Sequence, residues 1–595
     1  MLGYISLGLI GLAAFTALGA DSEMASYFFG GPLLLIGGWV AWRDRELGTG
    51  AAILLAITLL FWALAASRGQ LQTGSAEFTA LGACAAVFIS ARTLAFRTKR
   101  ANGLSTILLG FFLLAAIIAF LDHIWSPDRI FLFERPYHLG RLSSPFLSAN
   151  TAATFFGIGV ILSVGRLLRA MVGRSGDTRW KHLILPLTTL LFCLSCLVLT
   201  ASRAGVILTG GFASLLLLWE AAQRFQRGER QSLRALLAAS IGLALTASGI
   251  VLLSGETFGG RLAEVGIGAG SRSELWAAYS RAALEQFWFG AGPGGFEYVN
   301  ALSTNAENAS TLVFQRAAHN IALQWQLQTG LAGLLTLAGF WLWTGRTVLS
   351  GLQQSAKPRW LIRTLVCAGL FVLAHGLFDY ALEIPAIAWL TAWLTGLAVG
   401  ISAPRSRPRP PGVRYAVALA MLLLAAWAML GLTDTLRANA VRTASGDAAA
   451  AILAAPFPTR SGLALARAHA DLALSSTPPD SAHAREALDR VLALEPRDGR
   501  AEARLAYAFL MSGDSHSAAT HLSRSFQLWP YAHPDFRTWR LELSAALWNR
   551  LGDDERRAAL RELRQVRPEW RRPWLERTRA CQRANQPACI GLDEN

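Results

Sequence analysis

The sequence predicts an all-α fold: a polytopic helical membrane protein of about 13 transmembrane helices, followed by a smaller C-terminal α-helical repeat domain. Three observations predict it. The 595 residues are 53% hydrophobic and only 16% charged, whereas soluble proteins carry about 25% charged residues, so the apolar excess must face lipid. That excess is confined to residues 1–432, while 434–595 are rich in Arg, Ala, Leu, Asp and Glu. Finally, Leu494-Glu495-Pro496 and Leu528-Trp529-Pro530 stand 34 residues apart in that polar tail.

A helix needs about 20 apolar residues to cross the hydrocarbon layer. Runs of that kind lie near 4–20, 26–42, 50–66, 77–95, 103–121, 150–165, 183–200, 204–221, 235–254, 319–344, 361–377, 384–402 and 413–432. No Lys or Arg precedes the first run, so it reads as a span rather than a secretory signal. The stretch 183–219 is too long for one crossing, and its one charge, Arg203, falls near the middle. Ser202, Arg203 and Gly205 therefore mark a tight turn between two spans.

Arg and Lys alternate in density between successive loops, with 23 in one set and nine in the other. By the positive-inside rule the dense set is cytoplasmic, which makes the N-terminus cytoplasmic. Thirteen crossings then deliver the tail, and the long loops 122–149 and 255–318, to the periplasmic side of a bacterial inner membrane. The net charge of +16 is thus a topology signal, and no nucleic-acid-binding signature accompanies it. Cys84, Cys193, Cys196 and Cys367 lie in apolar runs, where a thiol packs as a small hydrophobe. Cys581 and Cys589 lie in the polar tail, where an oxidising compartment would permit a disulfide.

In the tail, Ala484, Leu488 and Leu492 align with Ala518, Leu522 and Phe526 at the same 34-residue spacing, with a looser third copy ending at Val566-Arg567-Pro568. Thirty-four is the tetratricopeptide period, in which each unit is a helix pair. Residues 433–595 are accordingly a tetratricopeptide-like domain, read either as a docking surface for a protein or glycan partner or as a stabilising appendage.

Polar residues at span ends are the candidates for chemistry, because they are expensive to hold near lipid. On the outer side these are Arg203 in the tight turn and Arg272, just after Ser271, where Ser271 and Glu274 form a capping box that starts a helix bearing Trp276, Tyr279, Ala283 and Phe287 on one face. Arg281 lies further along it. Arg316, His319 and Asn320 stand at the mouth of the next span, and an imidazole there is suited to accept a proton at neutral pH. His375 and Asp379 are four apart and share a helix face, and Asn150 opens the sixth span. Each has a plainer reading: a snorkelling arginine, an amphipathic surface helix, a cap or a structural pair. Gly290 to Gly295 lacks the Lys-Ser/Thr and the preceding strand of a phosphate loop and reads as a turn.

Together these residues resemble the O-antigen ligase family of ligases and polysaccharide polymerases. His319-Asn320 followed by Gly330-Leu331-Ala332-Gly333 is similar to the family's histidine signature, Ser202-Arg203-Ala204-Gly205 to its Ser-Arg turn, and Arg272 to Trp276 to its Arg-x-x-x-Trp segment. The resemblance covers about residues 140–400 of the membrane domain 1–432, and this chain has Gln328 where the family often has Glu. It implies an inverting, metal-independent glycosyltransferase with no cofactor, acting on a glycan carried by undecaprenyl diphosphate. Arg203 and Arg272 would hold the diphosphate, with Arg281, Arg316, Asn320, His375, Asp379 and Asn150 lining the substrate site, and His319 would take the acceptor proton. The acceptor stays open: lipid A core, a growing glycan, or a protein hydroxyl, the last making it a protein O-oligosaccharyltransferase. From another class, a polysaccharide or lipid transporter would also use many spans, but it predicts mid-membrane charges and repeated halves.

Overall fold

The computed structural model describes residues 1–44, 49–67, 71–97, 101–131, 133–134, 140–170, 178–226, 265–354, 357–403, 411–444, 447–454, 462–566, 571 and 574. Among the described residues the fold is all-α apart from one antiparallel pair of two-residue strands, Arg129–Ile130 and Phe133–Glu134. Nine helices there are long and apolar enough to cross a membrane. They are α2 (Glu23–Arg43), α4 (Ser75–Arg97), α5 (Ala101–Trp125), α6 (Ala149–Ala170), α7 (Thr178–Leu199), α8 (Arg203–Gln226), α13 (Arg359–Gly376), α14 (Pro385–Ser402) and α15 (Pro411–Thr443). The chain is a polytopic membrane protein. Helices α1 (Leu2–Thr16) and α3 (Thr49–Ser67) occupy two further expected spans. The expected span at 235–254 lies outside the described residues, as do Cys581, Cys589 and the Arg567-Pro568 end of the third repeat copy.

The bundle is built around α6 and α14, the most enclosed of the spanning helices. Gly396 and Gly400, one turn apart on α14, sit where a Cβ would fall 2.4 Å from the carbonyl oxygens of Phe88 and Arg92, so α4 and α14 approach backbone to backbone. The wholly buried indoles of Trp389 and Trp393 find acceptors on neighbouring backbones, donating to the Ala80 and Gly3 carbonyls at 2.9 Å each. This satisfies polar groups that have no water to turn to.

Two expected elements are redrawn. The span read as continuous from 319 to 344 belongs to α12 (Ile321–Gln353), which is broken at Gly330 (φ 64°, ψ −167°). The stretch Gly290 to Gly295 is the reason. Ala291 and Gly292 N–H donate to the Leu327 and Gln328 carbonyls, and Leu331 and Ala332 N–H donate to Phe287 and Trp288, all at 2.7–3.2 Å. The loop thus supplies partners for the backbone groups that the break sets free. The helix read as starting at Ser271 is α9 (Val265–Glu285), already under way six residues earlier, so Ser271 does not cap it and Arg272 is not in its first turn.

Helix α15 runs 33 residues without interruption through position 432, so the tail begins on a rigid helix rather than a linker. Beyond it come α17 (Leu463–Ser475), α18 (Ser481–Leu494), α19 (Gly499–Met511), α20 (Ser515–Leu528), α21 (Pro534–Ala546) and α22 (Asp553–Arg564). Helices α18 and α20 begin 34 residues apart, each capped by an aspartate side chain, Asp480 or Asp514. Ala484 and Leu488 on one, and Ala518, Leu522 and Phe526 on the other, are buried.

Gly330→Ala tests the clamp. Its Cβ would fall 2.3 Å from the backbone of Trp288 and Phe289, in a region of φ/ψ that costs a non-glycine residue about 1–3 kcal/mol. The purified variant is expected to melt several degrees below the wild type in detergent; equal melting would show that the break carries no constraint.

Candidate active site

The site assembles at one end of the bundle, where the N-termini of α6, α8 and α12 meet the C-terminus of α13. The α7–α8 turn is as tight as the sequence requires: Ala201 takes φ 49°, the Ser202 hydroxyl accepts from the Gly205 N–H at 3.3 Å, and Arg203 is the first residue of α8. Gly205 lies against Ala153 of α6, with its Cβ position 2.6 Å from that methyl group, which brings Arg203 beside the first turn of α6. Arg141 Nε donates to the Thr200 carbonyl at 2.7 Å, placing a second guanidinium on the same turn.

Asn150 is in that first turn of α6, and its carbonyl accepts from the Thr154 hydroxyl at 3.3 Å. Thr154 in turn meets His375 Nδ1 at 2.7 Å. The His375 ring is buried and stacked on Phe371, and its Nε2 has no hydrogen-bond partner among the described residues. Arg272 lies within charge reach of it.

His319 occupies the left-handed region at φ 52°, an uncommon place for a non-glycine residue and one that clusters at functional sites. The residue before it is pinned on both sides: Ala318 N–H donates to Gln324 Oε1 at 2.7 Å, and its carbonyl accepts from the Trp276 indole at 3.2 Å. The ring stands edge-on to Tyr380, with centroids 4.8 Å apart, and puts Nε2 3.1 Å from Gln315 Oε1 and Nδ1 3.8 Å from Asp379 Oδ1. A neutral imidazole has one N–H and one lone pair. At 3.8 Å Nδ1 is beyond hydrogen-bond length from Asp379, so that pairing is one of charge, while Nε2 is within hydrogen-bond reach of the Gln315 Oε1.

Asp379 is 1% exposed, and neither carboxylate oxygen has a hydrogen-bond partner among the described residues. Burial works to raise its carboxyl, but the polar interaction with His319, the charges of His375 and His319 and the Tyr380 backbone outweigh it and hold the group below the usual carboxylate range. Burial and the charge of Asp379 push the Tyr380 phenol up to about 12, so it stays protonated.

The remaining candidates divide. Asn320 caps α12, its side chain accepting from the Leu323 N–H at 3.1 Å, which is a structural role. Arg316 is exposed and lies within charge reach of Asp21 and Tyr380, at the rim of the cluster. Arg281 stands apart. Nine residues after Arg272, it faces the other side of α9 at about 100° per residue, and it lines an open cleft with Tyr298 and Leu302. Arg141, Thr154, Gln315 and Tyr380 were not singled out in the sequence; Arg141, Thr154 and Tyr380 act through contacts between distant segments that no local motif announces, whereas Gln315 stands four residues before His319, a spacing that could have shown it. Among the described residues no group of His, Cys, Asp or Glu is arranged to hold a metal ion.

Residues 188–338 match the family model described as O-antigen ligase. This segment is similar to the O-antigen ligase family, which is one of glycan transfer in cell-surface polysaccharide assembly. The match contains Arg203, Arg272, Arg316 and His319, whereas Asn150 and His375 lie outside it on α6 and α13; Asp379 lies in the turn after α13, so it does not share a helix face with His375 as their spacing suggested. No curated protein sequence matches the chain.

Thr154→Val removes the hydroxyl that His375 Nδ1 depends on while keeping the side chain's shape. Leaving that buried nitrogen unsatisfied costs about 1–3 kcal/mol, so the variant is expected to unfold at a lower temperature than the wild type. No change in melting would show that the contact is idle.

Proposed function

We propose that the protein transfers a glycan from undecaprenyl diphosphate to an acceptor hydroxyl on the periplasmic face. The observation that supports this best is the His319–Asp379 pair: a buried carboxylate without other side-chain hydrogen bonds, facing an imidazole held in a strained backbone conformation. Such an arrangement orients the ring and stabilises the imidazolium formed when it accepts a proton. The family match and the arginines at the same end supply the substrate class.

In this reading Arg203 and Arg272 engage the diphosphate from two sides, as guanidinium groups bind phosphate oxygens bidentately. The acceptor oxygen attacks the anomeric carbon from the face opposite the diphosphate. The new C–O bond forms as the sugar–phosphate C–O bond breaks, the electron pair leaves on the lipid diphosphate, and the acceptor proton passes to His319. Charge growing on the leaving group is met by fixed guanidinium groups, which is electrostatic catalysis without a metal. His375 backs the site between Asp379 and Arg272. The C-terminal helices, read as tetratricopeptide-like, offer a surface to a protein or glycan partner on the same side.

In cells that display the product, His319→Ala, Arg203→Ala and Arg272→Ala, each expressed at wild-type level, are expected to abolish surface glycan attachment or extension and to leave lipid-linked material. Normal glycan length and attachment in all three would overturn the assignment. Asp379→Asn is expected to lower the transfer rate by about 10²-fold or more with donor affinity nearly unchanged, because it presents the wrong partner to the Nδ1–H; a wild-type rate would remove Asp379 from the mechanism.

A further inference from the structure

The repeated motif of the C-terminal domain places two turns at the same point of successive units. Leu494-Glu495-Pro496 ends α18 and Leu528-Trp529-Pro530 ends α20, so the turns before α19 and α21 recur 34 residues apart. In stacked helix pairs, turns that recur at the period lie on one side. Here those turns carry Arg497 and His533. Both are held from behind. Asp498 caps α19, its Oδ1 accepting from the Arg500 and Ala501 N–H at 3.0 and 2.9 Å, and Arg467 of α17 donates to its Oδ2 at 2.8 Å. Helix α17 is tied in turn to the last span, where Ala464 N–H donates to Asp434 Oδ2 of α15 at 3.0 Å. His533 caps α21, its Nδ1 accepting from the Asp535 N–H at 3.4 Å.

The groups that these two side chains reach are the two supports of His319. Arg497 Nη1 donates to the Ala291 carbonyl at 3.4 Å, and its guanidinium lies 4.6 Å from the ring centre of Tyr298 on α10 (Phe296–Ser303). Ala291 is 1% exposed, and its N–H donates to the Leu327 carbonyl at 2.7 Å, one of the bonds that hold the break in α12. The same loop also lies against the start of α4, since a Cβ on Gly74 would fall 2.6 Å from the Pro293 carbonyl oxygen. His533 meets Phe314 edge-on, with ring centroids 5.2 Å apart. The residue after Phe314 is Gln315, whose Oε1 is 3.1 Å from His319 Nε2.

We propose that Arg497 and His533 are positioning residues of the transferase, through which the C-terminal domain holds the loop 290–295 and the segment 314–318 and so fixes His319 against Asp379. The inference rests on the transfer reaction proposed above. The break at Gly330 and the left-handed backbone of His319 are conformations that persist only where the surroundings over-determine them. The membrane domain's own hydrogen bonds supply one set of constraints, and the repeat domain adds a second from outside. A guanidinium suits the contact at Ala291, because one planar group donates to a carbonyl and stacks on an aromatic ring at once. The domain is then part of the catalytic unit. Losing its hold lets the base drift, and a displacement of about 1 Å can slow a reaction roughly 10²-fold.

The test compares full-length wild type, Arg497→Ala, Arg497→Lys and His533→Ala in liposomes with a diphosphate-linked oligosaccharide donor and a glycolipid acceptor. Arg497→Ala is expected to lower kcat about tenfold while leaving the donor KM within about twofold. His533→Ala is expected to lower kcat less, and Arg497→Lys, which keeps a donating cation on the ring, to recover most of the loss. Hydrogen exchange gives a second readout that needs no activity: segments 287–292 and 327–332 are expected to exchange severalfold faster in Arg497→Ala, with α6 as protected as in the wild type. An unchanged kcat, or a lowered kcat with wild-type exchange in both segments, overturns the proposal. Exchange that rises throughout the membrane domain also overturns it, because the residue then serves stability alone. If the wild type itself releases no lipid diphosphate, it is the transfer reading that fails, and exchange in the two segments decides separately whether the C-terminal domain holds them.

Discussion

The arrangement of the site depends on one set of main-chain hydrogen bonds, those between residues 287–292 and the broken turn of α12 at 327–332. An apolar span cannot leave amide groups unpaired in a membrane, so a helix breaks there only where protein supplies partners. The glycine-rich loop supplies them from its own backbone, which is why Gly290 and Gly330 both take positive φ and lie too close for any side chain. With the break held, Ile321 to Thr329 forms a short capped helix at the site end. Asn320, Gln324 and Trp276 then pin Ala318, and His319 is carried against Asp379.

The second organising feature is electrostatic. Charged and polar groups cluster at one end of the bundle: Arg141 and Arg203 share the α7–α8 turn, Arg272 lies within charge reach of His375, and His319 meets Asp379 and Tyr380. The far end is organised differently: the Arg92–Asp44 pair and the contact of Arg363 with Glu220 join helices to one another there.

The all-α membrane fold was legible because hydrophobic run length is a strong constraint, and the tight turn at Arg203 followed from length alone. Arg203, Arg272, His319, His375 and Asp379 were legible as polar residues at span ends, and of these His319, His375 and Asp379 lie together, with Arg272 within charge reach of His375. The broken span was not, because Gly330 within an apolar run looks like any membrane glycine until its distant partners at 287–292 are known. The helix starting at Val265 was misread for a related reason: Ser271 and Glu274 have cap spacing, but nothing local stops a helix from beginning earlier. Asn320 was read as a substrate contact although its type and position before an apolar helix fit a cap. Arg281 was grouped with Arg272 by sequence proximity, which ignores that nine residues turn a helix by about half a revolution beyond whole turns.

The central claim is that His319 takes the acceptor proton while the arginines hold the donor. It is tested most directly by reconstituting purified wild-type and His319→Ala protein with lipid-linked donor and acceptor, and measuring released lipid diphosphate alongside donor binding. The account predicts undiminished donor binding with release reduced by about 10²-fold or more in the variant. Wild-type release from the variant, or loss of donor binding as the sole defect, would contradict it.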